Sequence, residues 1–146
     1  MKKNNKHITW DQYFMAVAKL SAYRSKDPHT QVGCCIVNQS NRIVSLGYNG
    51  FPHGCSDDSY PWDRTNKDNL KNKYLYVCHS ELNAILNARG RDLTGCKLYV
   101  TLFPCNECAK AIIQSGIVEV VYEEDLYPQL DSTKAAKKMF SSSKVK

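Results

Sequence analysis

The sequence predicts an α/β domain built on a mixed β-sheet, and three observations carry that reading. Two runs rich in β-branched residues, Gln31 to Val37 and Arg42 to Tyr48, flank the polar stretch Asn38-Gln39-Ser40-Asn41, which is the pattern of an antiparallel hairpin. Further on, a strand pattern at Lys97 to Thr101, a helical pattern at Cys105 to Ser115 and a strand pattern at Ile117 to Tyr122 follow one another at the spacing of a parallel pair joined by a right-handed crossover. The length of 146 residues suits residues 1–146 as a single domain, and 42% apolar with 23% charged residues is too hydrophobic for a disordered chain.

The remaining elements follow in order. Trp10, Tyr13, Phe14, Val17 and Ala18 recur at helical spacing, with Thr9 and Asp11 available as caps, so a first helix is expected to about Tyr23. Lys26-Asp27-Pro28 breaks it, because proline disfavours a helical residue before it. Asn49 to about Lys73 carries Gly50, Pro52, Gly54 and Pro61 without sustained periodicity and reads as an irregular loop, packed by Phe51, Tyr60 and Trp62. A helix from His79 to Ala88 precedes the strand–helix–strand unit, Gly116 stops the helix within it, and a final helix spans Ser132 to Phe140. The Ser141-Ser142-Ser143 tail reads as frayed, and both termini as flexible.

No run of eighteen apolar residues occurs, and Met1-Lys2-Lys3-Asn4-Asn5-Lys6 lacks the apolar stretch of a secretory leader. The reading therefore excludes membrane partners and expects a cytoplasmic protein, with the nucleus as the alternative. Seven cysteines, an odd count, point in that setting to metal or redox chemistry before disulfides. The net charge of +6 suits acidic partners, nucleic acid and free nucleotides alike, and much of it lies in the terminal lysines.

Two segments carry chemistry: Cys78-His79-Ser80-Glu81 and Pro104-Cys105-Asn106-Glu107-Cys108, each opening a helix. Zinc takes imidazole nitrogen and thiolate sulfur, and a catalytic zinc keeps three protein ligands and an open fourth position. His79, Cys105 and Cys108 supply three, and the positive ends of two helices favour thiolates there. Glu81 is then a proton shuttle beside the metal and not a ligand. Taken singly, Cys-x-x-Cys also fits a redox pair or half a structural zinc site, and His79 a core or surface histidine. The combination His-x-Glu followed by Pro-Cys-x-x-Cys is the signature of zinc deaminases. A structural zinc needs a fourth ligand, for which Cys78 and Cys96 are the candidates; Cys34, Cys35 and Cys55 read as incidental thiols.

Beyond these motifs the chain resembles the deoxycytidylate deaminases of animals over about residues 8–140. The likeness lies in Tyr13-Phe14-Met15-Ala16-Val17-Ala18, Arg24-Ser25-Lys26-Asp27-Pro28, Gly47-Tyr48-Asn49-Gly50-Phe51-Pro52, Glu81-Leu82-Asn83-Ala84-Ile85 and Phe103-Pro104-Cys105-Asn106-Glu107-Cys108-Ala109-Lys110. It implies a three-layer α/β/α fold with a five-stranded mixed sheet, the last edge strand short or absent here because the chain after Phe140 is short. It also implies one catalytic Zn2+ per subunit, deamination of dCMP to dUMP, activation by dCTP and inhibition by dTTP with Mg2+, and a homo-oligomer, a hexamer. Carried over by position, Asn49 contacts the deoxyribose hydroxyl, Ser25, Lys26 and Tyr127 contact the 5′ phosphate, and the Ser80 backbone N–H meets the pyrimidine carbonyl. Ser80 departs from the family, where alanine is usual. Two alternatives stand beside this reading: an enzyme that also accepts dCTP, and a nucleic-acid cytosine deaminase favoured by the basic balance and the loop aromatics.

Overall fold

The computed structural model describes residues 1–146. Its elements are α1 (Trp10–Ala22), β1 (Gly33–Val37), β2 (Ile43–Tyr48), α2 (Ser80–Asn87), β3 (Lys97–Leu102), α3 (Asn106–Gln114), β4 (Glu119–Glu124) and α4 (Asp131–Ser143), with two short 3-10 turns at Asn69–Lys71 and Lys73–Leu75. The strands form one sheet in the order β2-β1-β3-β4. β1 pairs antiparallel with both β2 and β3, and β3 pairs parallel with β4, so the sheet is mixed as the hairpin and the crossover unit require. No helix is long and apolar enough to cross a membrane.

β1 shows why helices cover both faces. All five of its residues are buried, and alternate side chains enter different cores. Cys35 and Val37 pack with Phe14 and Ala18 of α1 and Tyr99 of β3. Cys34 and Ile36 join Ala84, Ile112, Ala136 and Phe140 from α2, α3 and α4 on the opposite face. The result is three layers, because the period-two alternation of a strand delivers apolar side chains to both sides.

Thr9 caps α1 in a reciprocal pair: the Gln12 backbone N–H donates to Thr9 Oγ1 at 3.1 Å, and the Thr9 N–H donates to Gln12 Oε1 at 2.9 Å. Asp11, the other candidate cap, instead accepts the Tyr99 hydroxyl at 2.6 Å, tying the first turn of α1 to β3. Of the aromatic side chains that set the helical period, Phe14 is fully buried, whereas Trp10 and Tyr13 stay exposed and pack on its outer rim.

The sheet has four strands, so the last edge strand, expected to be short or absent, is absent. α4 runs on through the serine run to Ser143, so these residues are helical and not frayed, and the left-handed Lys144 (φ 59°) ends the helix. The Lys146 N–H donates to the Val118 carbonyl at 3.1 Å and its carbonyl accepts the Val120 N–H at 2.8 Å, a single parallel bridge on the outer edge of β4. The other edge is closed by side chains. Asn83 and Asn87 of α2 and Arg91, just past the turn that ends it, donate to the carbonyls of Tyr48, Leu46 and Val44 at 2.8, 2.9 and 3.1 Å, so these side chains satisfy alternate acceptors along β2 and block edge pairing there.

The close approach of α2 to β2 depends on Gly47. A Cβ at that position would lie 2.2 Å from the Ser80 carbonyl oxygen and 2.5 Å from the Ala84 nitrogen, both backbone atoms that cannot step aside alone. Replacing Gly47 with Ala should therefore destabilise the fold by about 1–3 kcal/mol, the range for overpacking a close contact, read as a lower urea midpoint. An unchanged midpoint would mean that α2 has more freedom over the sheet than this packing allows.

Candidate metal and nucleotide site

Two helix starts are brought together beside the sheet. α2 begins where Cys78 bridges Gly50, each backbone N–H donating to the other's carbonyl at 2.8 and 3.1 Å, just beyond the end of β2. α3 begins after β3, through Phe103 and Pro104. His79 and Cys105 occupy the two N-cap positions in extended backbone conformations (ψ 157° and 172°), and neither side chain caps its helix. A side chain that usually satisfies the first-turn N–H groups is thereby released to bind something else. Cys108 follows one turn into α3.

His79 Nδ1 lies 3.4 Å from Cys105 Sγ and 3.5 Å from Cys108 Sγ, and the three donor atoms all fall within 4.8 Å of one another. Tetrahedral zinc with ordinary Zn–N and Zn–S bonds needs a nitrogen-to-sulfur separation of about 3.5 Å. The donors match zinc in type, number and spacing. Cys78 and Cys96, the candidates for a fourth ligand, stay out of the group, and Cys96 is buried in the apolar core.

The electrostatics suit a cation. A hydrogen bond from Cys108 pulls the Cys105 thiol down to about 4, with His79 reinforcing it against burial, and the same bond with burial pushes Cys108 well up. One sulfur of the pair is favoured as a thiolate, the form in which cysteine ligates a metal. The His79 imidazole is raised, first by the Cys105 sulfur, against the opposing effect of burial.

Glu81 is 4% exposed, in the first turn of α2. Burial raises its carboxyl above the usual range, partly offset by His79 and by its own backbone N–H. The Ser80 hydroxyl donates to Glu81 Oε2 at 3.0 Å, so the family-atypical serine is spent on the carboxylate.

These groups open on a cavity of about 240 Å³. His79, Ser80, Glu81 and Cys105 line it together with Asn49 and Tyr127. Ser25 and Lys26 do not. The Ser25 hydroxyl is buried and donates to the Asn49 carbonyl at 2.9 Å, while accepting the Asp27 N–H at 3.3 Å. Lys26 points into solvent and pairs with Asp57 at 2.5 Å. The turn that breaks α1 directs these two side chains away from the cavity, a direction that residue type does not encode.

Three residues on the cavity wall were missed. Arg64, in the irregular loop, accompanies Tyr74, its Nε donating to the Tyr74 hydroxyl at 3.0 Å. Lys73 and Asp27 form a buried ion pair at 2.5 Å across 46 residues of sequence. Asp27 also accepts the His29 and Thr30 N–H groups at 2.8 and 3.2 Å. No periodicity marks any of the three. The one available signal was that Lys73 begins a short apolar and aromatic stretch leading to Cys78, where a solvated lysine is out of place.

A family model describing the cytidine and deoxycytidylate deaminase zinc-binding region matches residues 8–124. The chain is 57% identical over 144 residues to the deoxycytidylate deaminase of Homo sapiens, covering 99% of this chain and 81% of that one. It is 58% identical over 139 residues to that of Mus musculus, covering 95% and 78%. Among solved structures it is similar to the dCMP deaminase of cyanophage S-TIM5 in complex with dCMP and dUMP, with a TM-score of 0.70, 25% identity, and 91% and 95% of the two chains covered. A tRNA:A34 deaminase shares the fold at a TM-score of 0.52 and 24% identity over 78% and 76% of the chains, which shows that the fold alone does not select a substrate.

The Asp27–Lys73 pair predicts a stability effect. Burial pushes the Asp27 carboxyl up, but the bonds from Lys73, His29 and Thr30 outweigh it, and the group sits below its ordinary value. A depressed folded-state carboxyl contributes stability above the unfolded value of about 3.9, lost as pH falls through the lower folded value. Lys73→Met leaves Asp27 buried and unpaired and should cost about 3–5 kcal/mol at pH 7, by urea unfolding. The penalty should shrink as pH falls toward the unfolded-state value of about 3.9, because the unpaired, buried Asp27 takes up a proton at higher pH than the paired one; a pH-independent penalty would show that the charge pair is not its origin.

Proposed function

The chain belongs to the cytidine and deoxycytidylate deaminase zinc-binding family, and from that premise we propose that it hydrolyses dCMP to dUMP and ammonia. The observation that carries the reading is the convergence, on one cavity, of the His79, Cys105 and Cys108 donors, the Glu81 carboxylate and the polar set Asn49, Arg64 and Tyr127.

His79, Cys105 and Cys108 would hold Zn2+. Zinc, when bound, would supply a Lewis acid that makes water far more acidic, so that hydroxide becomes available near neutral pH. Glu81 accepts a water proton and delivers it to the pyrimidine N3 as the water oxygen bonds to C4. It then moves the second proton to the exocyclic amine; the C4–N bond breaks, ammonia leaves and the C4 carbonyl of uracil forms. A carboxyl raised by burial is suited to both halves of this transfer, since it accepts a proton more readily than an ordinary carboxylate and can give it back. The Ser80 hydroxyl holds Oε2 in either protonation state, as donor to the carboxylate or acceptor from the acid, and the Ser80 backbone N–H faces the pyrimidine carbonyl.

Asn49 reads the deoxyribose hydroxyl. Arg64 and Tyr127 take the phosphate in place of Ser25 and Lys26, because a guanidinium fork and a phenolic hydroxyl on the wall match phosphate oxygens. Activation by dCTP, inhibition by dTTP, a requirement for Mg2+ with these effectors and assembly as a hexamer complete the reading, on the strength of the family resemblance alone.

One observation favours a second reading, in which dCTP is also a substrate. Arg64 and Tyr74 are shared with a neighbouring open cleft of about 650 Å³, into which a longer phosphate tail would extend. Asp63 lines that cleft and repels added phosphates, which favours the monophosphate. Turnover measured on deoxycytidine, dCMP and dCTP separates the readings. We expect dCMP to lead both others by kcat/KM; dCTP in first place would replace the proposal, and no turnover of any by zinc-loaded, folded protein would end it. Glu81→Gln should keep its zinc while kcat drops by about 100- to 10,000-fold, and retained turnover would remove Glu81 from the proton transfers.

A further inference from the structure

Asp27 lies on the cavity wall yet has nothing left to offer a ligand. Its Oδ1 accepts two backbone N–H groups, from His29 and Thr30, and its Oδ2 accepts Lys73 Nζ at 2.5 Å and Asn49 Nδ2 at 3.3 Å. A carboxylate has about four acceptor sites, and all are filled. Its consequence falls on Asn49.

The Asn49 amide is committed in one direction. Nδ2 donates to the Thr30 carbonyl at 2.9 Å and to Asp27 Oδ2, and Oδ1 accepts the Val32 N–H at 2.8 Å. Rotating the amide by half a turn would set its NH2 against the Val32 N–H and its oxygen against a carbonyl and a carboxylate. The network therefore fixes which atom is oxygen. With both N–H donors used, the unfilled capacity of this side chain is one lone pair on Oδ1.

We propose that Asp27, held in place by Lys73, is a positioning residue that joins the Val32 N–H and the Thr30 carbonyl in fixing the polarity of Asn49, so that the site demands a hydrogen-bond donor from the sugar. This rests on the reading of Asn49 as the residue facing the deoxyribose hydroxyl. An asparagine free to flip would accept either a hydroxyl or an acceptor at that point; one locked with its oxygen available accepts a hydroxyl and rejects an analogue that lacks it, because the lone pair is then left unpaired. Lys73 supplies the counter-charge without which Asp27, almost fully buried, would take a proton and could turn a donor toward Asn49.

The test compares kcat/KM for dCMP with that for 2′,3′-dideoxycytidine 5′-monophosphate, which lacks the 3′ hydroxyl. The wild-type protein should prefer dCMP by at least about tenfold. Because single changes leave a buried charge, the decisive variant is Asp27→Asn with Lys73→Met, which removes both charges at similar volume. There Asn49 keeps only its two backbone partners, and the preference should fall by at least about threefold, with zinc still bound; a preference kept at the wild-type ratio overturns the proposal. An independent measurement needs no variant and no substrate. In the nitrogen-labelled wild-type protein, both Asn49 side-chain amide protons should exchange slowly with solvent, since both are donated to buried acceptors, and rapid exchange of either overturns the assignment. If the wild type turns over neither nucleotide, the dCMP reading fails, while the exchange measurement still decides the polarity of Asn49.

Discussion

Everything in this structure is arranged around one requirement: three donor atoms from two helices far apart in sequence must come within reach of a single ion. His79 and Cys105 are 26 residues apart, yet Nδ1 and Sγ stand 3.4 Å from each other. Their placement at N-cap positions brings the positive ends of two helix dipoles, and the unpaired N–H groups there, toward the thiolates. Both helices lose the side-chain caps that a serine or aspartate would have given. That loss, about 1 kcal/mol at each terminus, is the energetic signature of residues retained for binding and not for helix stability.

The sheet and the long loop are understandable as supports for that requirement. Gly47 lets α2 lie directly on β2, and the carboxamides of Asn83 and Asn87 register the helix against the same strand. The loop from Asn49 to Val77, though irregular, is packed by Phe51 against Trp62 and Tyr60, with ring centroids 4.2 and 5.5 Å apart, and closed by the reciprocal bonds between Asn66 and Asn72. It is ordered enough to hold Arg64 and Lys73 on the cavity wall. Scaffold and site therefore meet at Gly50 and Cys78, where the end of β2, the loop and the start of α2 are joined by two backbone hydrogen bonds.

What the sequence revealed divides along physical lines. The metal donors and Glu81 were legible because helix-start geometry is local: residues at fixed offsets from a helix N-terminus have known directions. The mixed sheet was legible for a similar reason, since a short polar loop dictates an antiparallel hairpin and a strand–helix–strand unit a parallel pair. The five-stranded sheet came from family likeness, with its last edge strand expected short or absent; four strands form, and the serine run belongs to α4. Ser25 and Lys26 turn away from the cavity because a turn, not a periodic element, sets their direction. Asp27, Arg64 and Lys73 were overlooked because their partners lie across the tertiary structure, where a charged residue in a loop looks like any solvated one.

The central claim is that one imidazole and two sulfurs bind a single zinc ion whose fourth position is left to a small ligand. X-ray absorption at the zinc K-edge on the metal-loaded protein tests it most directly. The account predicts two sulfurs at about 2.3 Å and two nitrogen or oxygen neighbours at about 2.0–2.1 Å, the imidazole being one and a solvent or substrate atom the other. A shell of three or four sulfurs would contradict it, because Cys78 or Cys96 would then have closed the position at which the chemistry takes place.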